Sequence, residues 1–270
     1  MTLDCRVGFI GAGQMARALG QGFVRAGLVS PEMLCASDPA ASACWQFTQV
    51  TGAAAFPENS AVWKQADVVF LAVKPQQVAV VASQAVSERR PDQLVVSIAA
   101  GVRLHAIQAV LGDRARLVRV MPNTPCLVGK GACGFCLGPA ATPADSEVVG
   151  QLLGSVGVAY EVEERLLDAV TGLAGSGPAF VYVMIEALSD AGVLMGLPRN
   201  VATALAAQTV SGAAQVVLDT GEHTGVLRDR VASPGGTTIA GLQALEEYGL
   251  RAALMAAVQA ATERSIELGS

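Results

Sequence analysis

Residues Ala232 to Gly241 read A-S-P-G-G-T-T-I-A-G, an order suited to holding a small anion. Proline and paired glycine end regular structure, and the threonines lead into the periodic run Leu242 to Glu247. The segment therefore reads as a loop feeding a helix, with Thr237 or Thr238 near its cap. Unpaired amides and the positive end of the helix dipole would favour a carboxylate there. A Gly-rich turn with an ordinary cap uses the same residue types, and the stretch alone does not separate the two. A second such stretch opens the chain. Cys5 to Ile10 is a short apolar run followed at once by Gly11-Ala-Gly-Gln-Met-Ala16, the G-x-G-x-x-A form of the dinucleotide fingerprint. Gly11 allows the tight turn, Gly13 admits a pyrophosphate to the backbone, and Ala16 lets helix and strand pack closely. Ile10, Gly11, Ala12, Gly13, Gln14 and Met15 are accordingly candidate cofactor contacts.

Further candidates fall where apolar runs end. Met33 to Ser37 leads into Asp38-Pro39, about twenty residues past the glycines, where an acidic residue accepts a ribose 2′-hydroxyl and repels a 2′-phosphate. Ser37 is an equal contender for that end-of-strand position, with Asp38 then a turn starter. Asn59 is either a plain helix cap or a ribose-side contact. Asp67 to Val73 is a continuous apolar run, as in a strand buried on both faces, and stops at Lys74-Pro75. Gln93 to Ala99 repeats the pattern and ends in Ala99-Ala100-Gly101, small enough for a flat ring to lie against the backbone. Arg116 to Val120 is closed by Met121-Pro-Asn-Thr-Pro125, a loop stiffened by two prolines around Asn123.

The elements that must position these residues change character midway. Strand-like runs alternate with helical ones, down to Lys130–Leu137 and Val158–Val162, which predicts an α/β domain over residues 1–163. Residues 164–270 carry no strand-like run and read as all α. A helix over Glu164–Leu173 is expected to break at Ala174-Gly-Ser-Gly-Pro178, and the long helix that follows is apolar nearly all round. Within so small a domain, such a helix is best buried by a second chain. The fold class expected is an N-terminal Rossmann-type doubly wound sheet followed by an all-α dimerisation domain.

Composition points the same way. The chain has 270 residues, 52% hydrophobic and 15% charged, which excludes a disordered chain and leaves greasy surface to cover. The longest apolar stretch, Gly177 to Leu197, contains Glu186 and Asp190, so a neighbouring subunit is a better partner for it than lipid. A net charge of −5 without a basic block gives no support for nucleic-acid binding. The first ten residues enter a strand with no room for a signal peptide, and the six cysteines read as reduced core residues of a cytoplasmic protein. Cys133 and Cys136 form one C-x-x-C without a second pair or nearby histidine, so no metal site is expected.

A nucleotide-binding half joined to a helical half suggests hydride transfer. Reducing a ketone would call for a lysine or histidine beside the forming alkoxide. The three lysines, Lys64, Lys74 and Lys130, all lie outside the helical half, which weighs against a β-hydroxyacid dehydrogenase. An imine removes that need, because its nitrogen takes a proton from solvent before the hydride arrives. Ser233, the glycine amides and Thr238 could then clamp a carboxylate and meet the ring nitrogen.

Six motifs in order carry a resemblance over essentially the whole length: V-G-F-I-G-A-G-Q-M-A (7–16), F-L-A-V-K-P (70–75), A-A-G-V (99–102), M-P-N-T-P (121–125), D-A-V-T-G-L-A-G-S-G-P-A-F (168–180) and S-P-G-G-T-T-I-A-G (233–241). With them the chain resembles the pyrroline-5-carboxylate reductases. The resemblance implies reduction of L-1-pyrroline-5-carboxylate to L-proline by NADPH or NADH. It implies that Gly11–Met15 cradle the pyrophosphate, that Asn59 and the Ala72-Val73-Lys74-Pro75 turn lie along the adenosine half, and that Ala100 and Asn123 lie near the nicotinamide. Ser233, Gly235, Gly236, Thr237 and Thr238 would hold the substrate carboxylate, with Thr238 also on the ring nitrogen as the catalytic residue. Glu164, Gly175, Ser176 and Gly177 would help close the pocket. A homodimer interleaved through the helical half is implied, with sites that draw on two chains and dimers that can stack into rings. Two positions depart from the family pattern: Asp38, where 2′-phosphate binders have a small hydroxyl or basic residue, and Thr224 after His223, where proline is common.

Overall fold

The computed structural model describes residues 3–269. Eight strands form one sheet: β1 Val7–Ile10, β2 Leu34–Ser37, β3 Ala54–Phe56, β4 Val68–Leu71, β5 Leu94–Ser97, β6 Arg116–Met121, β7 Gly131–Leu137 and β8 Gly157–Glu161. Their order is β3-β2-β1-β4-β5-β6-β7-β8. β1 to β6 are parallel, as the continuous apolar runs required, whereas β7 pairs antiparallel with β6 and parallel with β8. The reversal follows from the link between them, residues 122–130, which is too short for the crossover that a parallel return needs.

Alternate strand residues feed two cores. Phe9, Phe70, Val96, Val118 and Phe135 face one side, where α1 (Gln14–Arg25) and α2 (Ala41–Thr51) cover the sheet. Phe9 stacks on Phe70 at 5.0 Å and on Phe23 at 6.0 Å. Ile10, Val69, Leu71, Val95 and Leu117 face the other side, against Trp63 of α3 (Asn59–Gln65), α4 (Val78–Glu88) and α5 (Leu104–Leu111). Close covering on that side depends on a missing side chain: a Cβ at Gly8 would sit 2.5 Å from Val62 Cγ1. α6 (Pro143–Gly154) is started by a capping box. Thr142 accepts from the Asp145 amide, and Asp145 accepts from the Thr142 amide at 2.8 Å.

Helix follows helix from there. Glu164–Leu166 is a 3₁₀ turn, α7 is Leu167–Val170, and Thr171–Gly175 is a π-helical turn running into α8, Gly177–Leu194. The expected break at 174–178 narrows to a bend at Ser176, preceded by a turn whose hydrogen-bond register has loosened to i→i+5. After α8 come α9 (Arg199–Thr220), α10 (Thr224–Arg230), α11 (Thr237–Glu247) and α12 (Leu250–Leu268). α10 was not expected from sequence, because its seven residues carry little apolar periodicity. His223 caps it by accepting from the Gly225 amide at 3.1 Å.

The chain forms two compact units, Met1–Ser176 with Ala260–Ser270, and Gly177–Gln259. Sequence pattern placed the division at residue 163. The residues just beyond it stay with the sheet: a Cβ at Gly134 of β7 would meet Val170 and Leu167 at 2.9 and 3.3 Å. The last turns of α12 also belong to the first unit, where Ser265 Oγ donates to the buried Asp168 at 2.7 Å. In the second unit, α8 and α9 pack as an antiparallel pair around Gly192, whose Cβ would lie 3.0 Å from Ala202 Cβ. Arg199 pairs there with Asp190, and Ser189 bonds Thr203. Among the described residues of this unit only Ser189, Ala202 and Ala206 are buried.

Candidate active site

The cofactor candidates collect along the carboxyl edge of the parallel strands. Register places Ile10 beside Ser37 and Leu71, and Leu71 beside Ser97, so the turns leaving β1, β2, β4 and β5 share that edge. Gly11 has φ +95°, and a Cβ there would meet the Ala72 carbonyl oxygen at 2.5 Å, so only glycine serves. Gly13 is the N-cap of α1 with no side-chain cap, and nothing lies within 4 Å of where its Cβ would be. The first-turn amides of α1 are thus left without intrahelical acceptors beside open space, a setting that fits a pyrophosphate. Gln14 and Met15 are the first helical residues behind this turn.

β2 separates the two contenders for the ribose position. Ser37 is the final strand residue, fully buried at 0% exposure, and its hydroxyl donates to Asn59 Oδ1 at 2.8 Å. Asp38 is half-buried at the edge: one carboxylate oxygen accepts the Ala12 amide at 3.0 Å and the other the Ala40 amide at 2.9 Å. Asn59 is not the cap of α3, a correction, since Glu58 holds that position. As first residue of the helix, Asn59 instead carries a side chain that accepts from Ser37 and donates to Gln84 at 2.7 Å. Lys74 is the exposed N-cap of the Pro75–Gln77 turn, following Ala72 and Val73.

At the far end of the same edge, Ala100 is exposed and Gly101 takes φ +74°. The Gly101 backbone lies close to the end of α12, since a Cβ at Gly269 would sit 2.9 Å from the Gly101 carbonyl oxygen. Asn123 is buried, and its side chain is committed: it donates to the Ala174 carbonyl and accepts from the Ala132 amide, each at 3.0 Å. It thereby ties the loop after β6 to the π-turn and to β7. Glu164 accepts the Leu104 amide at 2.7 Å, so it caps α5, and pairs with the buried Arg119 at 3.2 Å. Gly175 ends the π-turn against Met121, where a Cβ would meet the thioether methyl at 2.6 Å. Ser176 and Gly177 follow it, with open space around Gly177. Neither the Arg119 partner of Glu164 nor the Gln84 partner of Asn59 carried a sequence signal.

The candidate substrate loop lies in the second unit. Gly235 takes φ +67°, and Gly236 donates to the Ser233 carbonyl at 3.0 Å, so a tight turn delivers the chain to α11. Both threonines stand next to the cap, as expected: Gly236 is the cap, with no side-chain cap bond, and Thr237 and Thr238 are the first two helical residues. A Cβ at Gly236 would meet Ser233 Oγ at 2.2 Å, so the serine hydroxyl folds over the glycine. An open cleft of about 450 Å³ adjoins the turn, lined by Arg228, Ala232, Gly235, Gly236, Ile239 and Glu246 among others.

The cysteines do not make a pair of ligands at the C-x-x-C. Cys133 and Cys136 stand three apart on β7, so they point into opposite cores. Cys133 instead lies 3.8 Å from Cys126, sulfur to sulfur. Burial pushes the thiols of Cys35 and Cys136 up to about 11. Among the described residues no cluster of three or more His, Cys, Asp or Glu is placed to hold a metal ion.

Comparisons with known proteins find relatives along nearly the whole chain. A family model described as pyrroline-5-carboxylate reductase dimerisation matches residues 164–268. Another, described as NADP oxidoreductase coenzyme F420-dependent, matches residues 6–101. The pyrroline-5-carboxylate reductase of Methanosarcina acetivorans is 47% identical, covering 98% of both chains. That of Arabidopsis thaliana is 46% identical over 97% of this chain and 95% of its own. A solved structure of Plasmodium falciparum pyrroline carboxylate reductase with NADP bound superposes with TM-score 0.89 at 32% identity, covering 100% of each chain.

Proposed function

The chain belongs to the pyrroline-5-carboxylate reductase family, an oxidoreductase family acting on a CH–NH group, and from that premise we propose how its residues divide the work of reducing L-1-pyrroline-5-carboxylate to L-proline. The sheet edge from Ile10 to Pro75 holds the dinucleotide, with the first turn of α1 and the Gly11 turn on its pyrophosphate. Ala100 and the Asn123 loop border its nicotinamide end. The start of α11 takes the substrate. Backbone amides of Gly235, Gly236, Thr237 and Thr238 bind its carboxylate with the help of Ser233, and the Thr238 hydroxyl meets the ring nitrogen. The nitrogen is protonated from solvent, so no lysine or histidine is required beside it. When bound, the reduced cofactor would supply a hydride to the imine carbon, turning the C=N bond into C–N.

One observation carries the substrate assignment: α11 opens on a glycine cap that leaves its amides without a side-chain partner, with a hydroxyl at its second position. Asn123 and Glu164 support the site by holding its loops, given that their side chains bond within the first unit. The test is spectrophotometric. Purified protein with pyrroline-5-carboxylate should consume the absorbance of a reduced nicotinamide cofactor and yield proline; binding of the cofactor without turnover would sink the assignment.

Assembly belongs to the same reading. Two helical stretches, Glu164–Leu194 and Arg199–Thr220, are long and apolar enough by length and composition to cross a membrane. Their exposed residues, Tyr182, Val183 and Leu188 among them, are instead assigned to a second copy of the chain, in keeping with the dimerisation model that covers them. Stacking of dimers into a ring, and a cytoplasmic location, complete the proposal.

A further inference from the structure

We infer that this chain selects NADH over NADPH, and that Asp38 is the residue that rejects the 2′-phosphate. The inference rests on the first unit being the cofactor domain. Ser37, the alternative occupant of the ribose position, is excluded by its burial and by its bond to Asn59. The side chain left at the end of β2 is a carboxylate pinned by two backbone amides, those of Ala12 and Ala40. The first of these is part of the Gly11–Gly13 turn itself, so the carboxylate stands beside the pyrophosphate cradle, where the adenosine ribose of a doubly wound nucleotide domain lies. Each oxygen has spent one acceptor position on an amide and keeps another for a ribose hydroxyl.

A 2′-phosphate brings the opposite result. It adds close to two negative charges and replaces a hydroxyl donor with acceptors only. The segment that follows β2 offers no compensating charge. From Asp38 to Ser60, the segment that leaves β2 and borders the ribose, there is no lysine or arginine, while Glu58 adds a second acid. The first cation after the glycine turn, Arg17, is hydrogen-bonded to Gln46 of α2. Selectivity thus comes from a repulsive element, a fixed charge facing the wrong ligand, added to an attractive one facing the right ligand.

Titrating the purified protein with NADH and NADPH by cofactor fluorescence, without substrate, tests this apart from catalysis. Wild type should favour NADH by at least about tenfold, like charges at close range being worth that much in a partly buried site. Asp38→Asn keeps an oxygen for the Ala12 amide while removing the charge, and should shrink that preference by at least about threefold. Asp38→Ser, which also makes room, should bring the two cofactors near parity. The ratios of kcat/KM for pyrroline-5-carboxylate reduction should follow the binding ratios. Equal or tighter binding of NADPH by wild type, or a ratio unmoved in both variants, overturns the inference. Failure of wild type to bind either cofactor overturns the reading of the domain itself.

Discussion

At the scale of single residues, the reaction asks little of the protein beyond placement, and Thr238 is where that can be measured. On the proposed reading, Thr238→Ala removes one hydrogen bond to the reacting nitrogen and leaves the helix-start amides in place. It should lower kcat/KM by roughly ten- to a thousandfold, with cofactor affinity barely changed. Unaltered turnover would take Thr238 out of the mechanism. The glycines of the nucleotide turn were legible in sequence because their spacing encodes backbone geometry, and Gly11 at φ +95° bears that out. The choice between Ser37 and Asp38 was not. It depends on which residue ends β2, and a one-residue step decides whether a side chain enters the core or the edge. The same arithmetic disposes of the C-x-x-C: an odd spacing on a strand sends Cys133 and Cys136 to opposite faces.

Among elements, those with strong local signals were foreseen within a residue or two, as with the buried parallel strands. The π-turn was not, because a helical run that ends in glycines carries no separate signal for i→i+5 bonding. Nor was α10, too short for periodicity to show. The start of α6 is a place where local chemistry can be tested. Burial alone would raise the Asp145 carboxyl, but the Arg116 guanidinium and the Thr142 amide and hydroxyl outweigh it, and the net shift is below the ordinary value. A group depressed in the folded state stabilises above its unfolded pKa and loses that contribution as pH falls through the folded one. Asp145→Asn should therefore cost about 1–3 kcal/mol near neutrality. Urea titrations should show the gap from wild type closing in acid below the usual carboxylate range. A gap that persists there would mean the loss is steric rather than ionic.

For the whole molecule, sequence pattern told where the helical half begins but not that the end of α12 returns to the first unit. That return includes a contact between Asp168 and Ser265, far apart in the chain and each unremarkable in isolation. Exposed apolar side chains dominate the second unit: Val183 is 63% and Tyr248 89% accessible. Val183→Glu should lower the mass found by light scattering toward that of a single chain; an unchanged mass would move the interface off α8. Since Gly177–Gln259 buries only a serine and two alanines among its described residues, that unit has almost no interior of its own. Its folding and its pairing are then one event, and the melting temperature becomes a function of how much protein is in the tube. Dilution alone should loosen this part of the chain before the sheet notices.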